Sequence, residues 1–196
     1  MEAIIVAFYS YISGSIPFGL ILTKIFTGKD VRKIGSGNIG ATNVLRSGNK
    51  ILAAITLFLD MFKGYIPVFI TFYFFSDQVY ISCIFAFLGH IFAIWLNFKG
   101  GKGVATYLGV ITALSYELFF LFIFTWVTVV LIFKYSSVAS IFSSITIFVV
   151  TGIRELYQET ILLNITDNFT NLLFFFLVLI IFTHRNNIIN LKNNIE

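Results

Sequence analysis

Long apolar runs, most of them near the length of a membrane crossing, alternate along this chain with short polar connectors. The runs fall at about 3–25, 51–75, 79–98, 104–116, 118–133, 136–153 and 169–183. About 20 apolar residues in a helix cross a hydrocarbon core of about 30 Å, so 196 residues hold at most about seven such helices. The pattern therefore predicts one all-α integral membrane domain over residues 1–196, with about seven transmembrane helices. The runs between Gly103 and Arg154 are tight and demand short, tilted or half-inserted helices. Within the first run, Gly and Pro in Ser13-Gly14-Ser15-Ile16-Pro17-Phe18-Gly19 predict a kink or a close helix approach.

Composition places the chain in the same class. Apolar residues make up 58%, aromatic residues 18% and charged residues 11%, and the mean hydropathy is +0.94. The net charge of +4 does not point to nucleic acid, because the basic residues are scattered among apolar runs instead of sharing a polar face. Their distribution instead sets an orientation. With the N-terminus outside, Lys24, Lys29, Arg32, Lys33, Arg46, Lys50, Lys99, Lys102, Lys134, Arg185 and Lys192 fall in cytoplasmic loops and the cytoplasmic tail. Only Arg154 falls outside, and Lys63 lies inside a span. The N-terminus lacks a basic leader and reads as a retained span. The lone Cys83, in an apolar run, reads as a buried small hydrophobe.

Two polar stretches interrupt this pattern, Gly35-Ser36-Gly37-Asn38-Ile39-Gly40-Ala41-Thr42-Asn43 and Lys99-Gly100-Gly101-Lys102-Gly103. Glycine-rich turns let backbone N–H groups approach an anion, and neighbouring Lys or Arg supplies countercharge, so both stretches are expected to hold phosphate. The orientation brings them to the cytoplasmic face together with the tail that begins at His184. The G-x-G-x-x-G in Gly35–Gly40 is not a dinucleotide fingerprint, because no strand precedes it and Asp60 lies inside a span. Lys102 is followed by Gly103, not by Ser or Thr, which excludes a phosphate-binding loop of the nucleotide-triphosphatase kind. Asp60 and Lys63, at i,i+3, are expected to pair with each other within the span, and His90 is expected to be a hydrogen-bonded core imidazole. His184 stands where the last span leaves the membrane and can act there as base or donor. Two histidines without an accompanying Cys or carboxylate cluster support no metal site.

Together these residues resemble a known family, the bacterial acyl-phosphate-dependent glycerol-3-phosphate acyltransferases (the PlsY family), along the whole chain. The resemblance rests on Gly14 to Gly19, Gly35 to Arg46, Leu59-Asp60 with Lys63-Gly64, Gly89-His90, Phe98 to Thr106, and His184, Arg185, Asn187 and Ile188 with Glu196 at the end. Asn190, Asn194 and Ala93 depart from the family pattern. The resemblance implies transfer of a fatty acyl group from acyl phosphate to the 1-hydroxyl of sn-glycerol 3-phosphate, without cofactor or obligate protein partner, in the cytoplasmic (inner) membrane of a bacterium and against membrane lipid. It also implies roles. Ser36 and Arg46 orient the acyl phosphate, while Gly35, Gly37, Asn38, Gly40, Thr42 and Asn43 belong to its loop. Lys102 and Lys99, with Gly100, Gly101 and Gly103, hold glycerol phosphate. His184 and Asn187 orient the attacking hydroxyl, and Glu196 braces the site, with Asp60, Lys63 and His90 in support. The His-x-x-x-x-Asp signature of acyl-CoA and acyl-carrier-protein users is absent, since Trp95 and Ile189 stand where the Asp would be. The alternative is a small transporter or channel for a phosphorylated solute, which would be expected to show internal repeats that this chain lacks.

Overall fold

The computed structural model describes residues 1–157 and 169–192, and every regular element among them is helical. The chain runs through α1 (Glu2–Ser15), α2 (Phe18–Thr27), α3 (Ala41–Arg46), α4 (Lys50–Phe74), α5 (Val79–Ile91), α6 (Val104–Leu114), α7 (Tyr116–Phe133), α8 (Ser136–Leu156), α9 (Phe169–Thr183) and α10 (Arg185–Lys192). Every apolar run in the sequence is helical, the first of them in two pieces, α1 and α2. Among the described residues, five segments are long and apolar enough to cross a membrane: Glu2–Thr27, Lys50–Phe74, Ser76–Leu96, Tyr116–Phe133 and Ser136–Leu156. A sixth arises if α9 and α10, bent by 52°, form one span. Helix α6 has 11 residues, which at 1.5 Å per residue reach about half of a hydrocarbon core of about 30 Å.

Two compact units divide the chain, residues 1–113 and 114–196. In the first, the kink expected at Ile16-Pro17 is a full break between α1 and α2. Small residues let α1 and α5 approach closely. A Cβ on Gly14 would strike the Ala86 carbonyl, one on Gly89 would strike the Tyr11 carbonyl, and the Ser10 and Ser82 hydroxyls bond at 2.9 Å. Gly64 and Gly109 do the same between α4 and α6, against Thr106 and Met61. Helix α4 contains Pro67, which lacks the N–H that would reach the Lys63 carbonyl one turn back. Ser13 Oγ on α1 donates to that carbonyl instead, at 3.0 Å. A proline defect in one helix is thus satisfied by a hydroxyl from another, as backbone at membrane depth requires.

The second unit spends its polar groups nearer home. Ser115 caps α7, and the hydroxyls of Ser140, Ser143 and Ser144 each return to a carbonyl four residues back. Trp126 Nε1 donates to Ser140 Oγ at 3.2 Å, and Arg154 on α8 pairs with Glu117 on α7 at 2.6 Å. Phe148 packs against Phe174 to join α8 to α9.

Candidate active site

The first polar stretch is a loop folded around one side chain. Asn43, buried on α3, donates from Nδ2 toward the carbonyls of Val31 (2.9 Å), Ile34 (2.9 Å) and Asn38 (2.7 Å), and accepts from Ser36 N–H at Oδ1 (3.1 Å). Two amide hydrogens therefore serve three carbonyls, and little of Asn43 remains for a substrate. Gly35 and Gly37 have φ of +51° and +70°, the left-handed region that glycine enters without penalty. Val31, Ile39 and Val44 pin the loop from below. Above it, Ser36, Thr42 and Arg46 are exposed. A Cβ on Gly35 would lie 2.9 Å from Arg46 Cδ and 3.5 Å from its Nη1, so the guanidinium arm rests directly over the turn that carries Ser36. At the loop's entrance Asp30 receives Arg32 N–H at 3.0 Å and chelates the Arg32 guanidinium, with the shorter contact at 2.7 Å. The hydrogen bonds from the Arg32 side chain and then its backbone lower the Asp30 pKa to about 2.

The second stretch is held differently. Helix α5 ends at Ile91, and its last carbonyls take the loop's amides: Gly101 N–H donates to His90 O (3.0 Å) and Gly100 N–H to Ile91 O (2.9 Å). Just before, Asn97 and Phe98 adopt φ of +51° and +61°, an arrangement costly for two consecutive non-glycine residues. Their turn is closed by Phe98 N–H to Ala93 O and Lys99 N–H to Leu96 O, both at 3.0 Å. A Cβ on Gly100 would strike the His90 carbonyl, one on Gly101 the His90 ring, and one on Gly103 the Phe87 ring. Lys99 is exposed and Lys102 half-buried.

These contacts change how the glycines act. The expectation was a cradle of backbone N–H groups, but the amides of Ser36, Gly37, Gly100 and Gly101 are all engaged within the protein. The glycines at 100, 101 and 103 allow close backbone approach, and those at 35 and 37 allow tight turns. The side chains that stand exposed or half-buried on the two loops are Ser36, Thr42, Arg46, Lys99 and Lys102. Asn38 and Gly40 are half-buried within the first loop, and the Gly40 carbonyl accepts the Asn43 and Val44 amides of α3.

Ala93 and Leu96, beside the second loop, belong to the same apolar cluster as Val31, Ile39 and Val44, with Leu52 and Ala53 of α4. Residues over 50 positions apart are thereby fixed on one hydrophobic base. Below them lies the expected pairing of Asp60 and Lys63, at 2.7 Å with both side chains buried. The ammonium lies close to Asp60 Oδ1 yet off the direction of a hydrogen bond, and that oxygen has no other hydrogen-bond partner among the described residues. Lys63 Nζ donates to the Ile16 carbonyl at 2.7 Å, at the break between α1 and α2. His90 is a buried, hydrogen-bonded imidazole, as expected, with Nδ1 2.9 Å from Thr106 Oγ1.

In the second unit, His184 is buried at the joint between α9 and α10 and donates from Nδ1 to the Ile180 carbonyl at 2.8 Å. A carbonyl only accepts, so in the neutral ring Nδ1 carries the proton and Nε2 the lone pair. Asn187 follows on the first turn of α10, half-buried. Glu196 lies outside the described residues. Sequence reasoning did not single out Asn97 as a site-supporting residue; the Asn-aromatic pair before Lys99 was the available signal.

Comparison with known proteins brings these features together. A family model described as glycerol-3-phosphate acyltransferase matches residues 4–194. The protein named glycerol-3-phosphate acyltransferase from Pelagibacter ubique (strain HTCC1062) is 48% identical over 197 residues, covering 100% of this chain and 97% of its own. Its namesake from Wolbachia sp. subsp. Brugia malayi (strain TRS) is 46% identical over 199 residues, covering 100% and 98%. Among solved structures, the crystal structure of PlsY, an integral membrane glycerol 3-phosphate acyltransferase, in its glycerol 3-phosphate form matches with a TM-score of 0.90 and 34% identity, over 100% of this chain and 94% of that one. Its lysophosphatidic acid form matches with a TM-score of 0.88.

Proposed function

The chain belongs to the glycerol-3-phosphate acyltransferase family, and from that premise we propose that it transfers a fatty acyl group from acyl phosphate to the 1-hydroxyl of sn-glycerol 3-phosphate. The protein is a membrane-bound acyltransferase, and its products in this reading are 1-acylglycerol 3-phosphate and inorganic phosphate. The single observation that carries the assignment to this surface is the Arg46 side chain laid over the Gly35 turn beside exposed Ser36. That arrangement offers a guanidinium fork and a hydroxyl to one phosphate dianion. In the reaction the hydroxyl oxygen bonds to the acyl carbon, the acyl carbon–phosphate oxygen bond breaks, and the hydroxyl proton passes to the departing phosphate.

Phosphate is a good leaving group from this mixed anhydride, so positioning and charge stabilisation suffice and no covalent enzyme intermediate is invoked. Ser36 and Arg46 orient the acyl phosphate. Lys102, with Lys99 and the Gly100–Gly103 loop, receives the phosphate of glycerol phosphate. His184, whose Nδ1 donates to the Ile180 carbonyl, orients the attacking hydroxyl together with Asn187, and Glu196 braces the site. The whole chain acts as one catalytic domain, its seven apolar segments arranged with the N-terminus outside and the motif loops at the cytoplasmic face of the inner membrane. The distribution of Lys and Arg supports this orientation.

Purified protein in detergent, given palmitoyl phosphate and glycerol 3-phosphate without metal or CoA, should release phosphate and form lysophosphatidic acid. Arg46→Ala should abolish both while the protein stays folded. Full activity in Arg46→Ala would refute the site, and substrate binding without turnover by the native protein would refute the reaction.

A further inference from the structure

Beneath the Gly100–Gly103 loop lies a buried polar chain whose members come from four segments. Ile16 O at the α1–α2 break accepts from Lys63 Nζ on α4 at 2.7 Å, and Lys63 pairs with Asp60 at 2.7 Å. Asp60 Oδ1 lies 4.0 Å from His90 Nδ1 on α5, and that nitrogen bonds Thr106 Oγ1 on α6 at 2.9 Å. The imidazole's other nitrogen, Nε2, is the atom a Cβ on Gly101 would meet first. His90 thus touches the loop twice, through its ring edge against Gly101 and through its carbonyl, which accepts Gly101 N–H.

Burying an ion pair and an imidazole among apolar helices is costly, and a small hydrophobic side chain would fill the His90 site without that cost. What an imidazole adds is a flat edge in one orientation, set by bonding at Nδ1. Asp60 Oδ1, buried and without a hydrogen bond, faces the same nitrogen and favours the ring position in which Nδ1 is directed toward Thr106 and the carboxylate. Rotation of the ring would open space beside Gly101 and release the loop that carries Lys102.

We propose that His90 is a positioning residue for the phosphate-holding loop: Thr106 and the buried Asp60–Lys63 pair fix its imidazole, and the imidazole edge fixes Gly101 and so the placement of Lys102. The proposal rests on the reading of this loop as the glycerol phosphate site. Lys102 touches substrate in that reading, whereas His90 and Thr106 act only through the loop.

The test separates the two. Steady-state kinetics on the full-length protein in detergent should give Lys102→Ala a raised KM for glycerol 3-phosphate, since it removes the loop's cation. Thr106→Val, which deletes the hydroxyl and keeps the shape, should raise the same KM about tenfold or more, because misplacement by about 1 Å weakens a pre-organised site by that order, and should leave the KM for palmitoyl phosphate within about twofold. Thr106→Ser should restore the native KM by returning the hydroxyl. Should Thr106→Val not fold, Gly101→Ala, which forces the ring aside, should give the same one-sided rise. A one-sided rise with Ser rescue supports the proposal. An unchanged glycerol 3-phosphate KM in Thr106→Val alongside a raised one in Lys102→Ala overturns the role of His90 and leaves the loop reading standing. Equal rises for both substrates, or a fall in kcat alone, overturn it as well. An unchanged KM in Lys102→Ala overturns the loop reading, and the proposal with it.

Discussion

The two glycine-rich loops look alike in sequence and are built in opposite ways. The first is self-contained: Asn43 reaches back 5, 9 and 12 residues to three carbonyls, so the loop carries its own scaffold. The second has no such side chain. It hangs from the last carbonyls of α5 and from the His90 ring, which depends in turn on α4 and α6. One loop can be damaged locally, and the other can be damaged from the middle of a distant helix. Glycine in both is a permission for backbone geometry, and the agent that uses the permission differs.

The comparison breaks most sharply at Lys63. Lys63→Met leaves Asp60 charged, buried and unpaired and the Ile16 carbonyl without its ammonium, an arrangement that costs about 3–5 kcal/mol. The expected outcome is a large drop in melting temperature in detergent, with glycerol 3-phosphate turnover lost alongside it. The double variant Asp60→Asn/Lys63→Met should recover part of the stability. No recovery would mean that the pair does not bear on the fold as a pair.

Asn43→Ala comes next. It removes bonds of about 1 kcal/mol each and strands buried carbonyls at about 1–3 kcal/mol, but the loss is confined to the loop. Activity should fall about a hundredfold, with a melting shift clearly smaller than that of Lys63→Met. If both variants melted alike, the claim that the first loop is locally held would fail.

Ser13→Ala should cost about 1 kcal/mol, since it removes the donor that replaces the missing Pro67 amide. In a Pro67→Ala background the helical N–H returns, and the same substitution should become nearly neutral. A cycle with no coupling between positions 13 and 67 would show that the hydroxyl is not a substitute.

Asp30→Asn should give the smallest effect. The Asp30 pKa is lowered from 3.8 to about 2 by Arg32, so its contribution is complete above about pH 4 and is lost as pH falls through about 2. Melting curves should therefore show a small, constant gap between native and variant at neutral pH that closes only in strong acid. A gap that opened toward acid would reverse the sign of the argument.

Much of the helix placement was legible in the sequence, because apolar runs and a Pro between small residues are local signals. The break at Pro17, the Asp60–Lys63 pair at i,i+3 and a buried, bonded His90 are all of that kind. The number of crossings was less legible. Apolar character marks α6 as clearly as α4, yet its 11 residues reach only part of the way across, which the run 104–116 already suggested by its length. Least legible were partners far apart in the chain, such as Ser13 with the Lys63 carbonyl or His90 with Gly101. The glycines could be seen, but whether their amides faced a ligand or the end of α5 depended on the packing of other helices.

The α4 lysine that reaches the break between α1 and α2 also bears on how the protein is made. An apolar helix that carries two charges, as α4 does in Asp60 and Lys63, enters the bilayer at a penalty of about 2.5–3.5 kcal/mol for each charge near its centre. The ribosome releases Ile16, 47 residues before Lys63, so the carbonyl that receives the ammonium is synthesised first. The Ile16 carbonyl, which also accepts Phe18 N–H, thus waits as a berth for a helix still emerging, and the order of the gene's codons becomes an order of assembly in which the segment hardest to insert arrives to a partner already present.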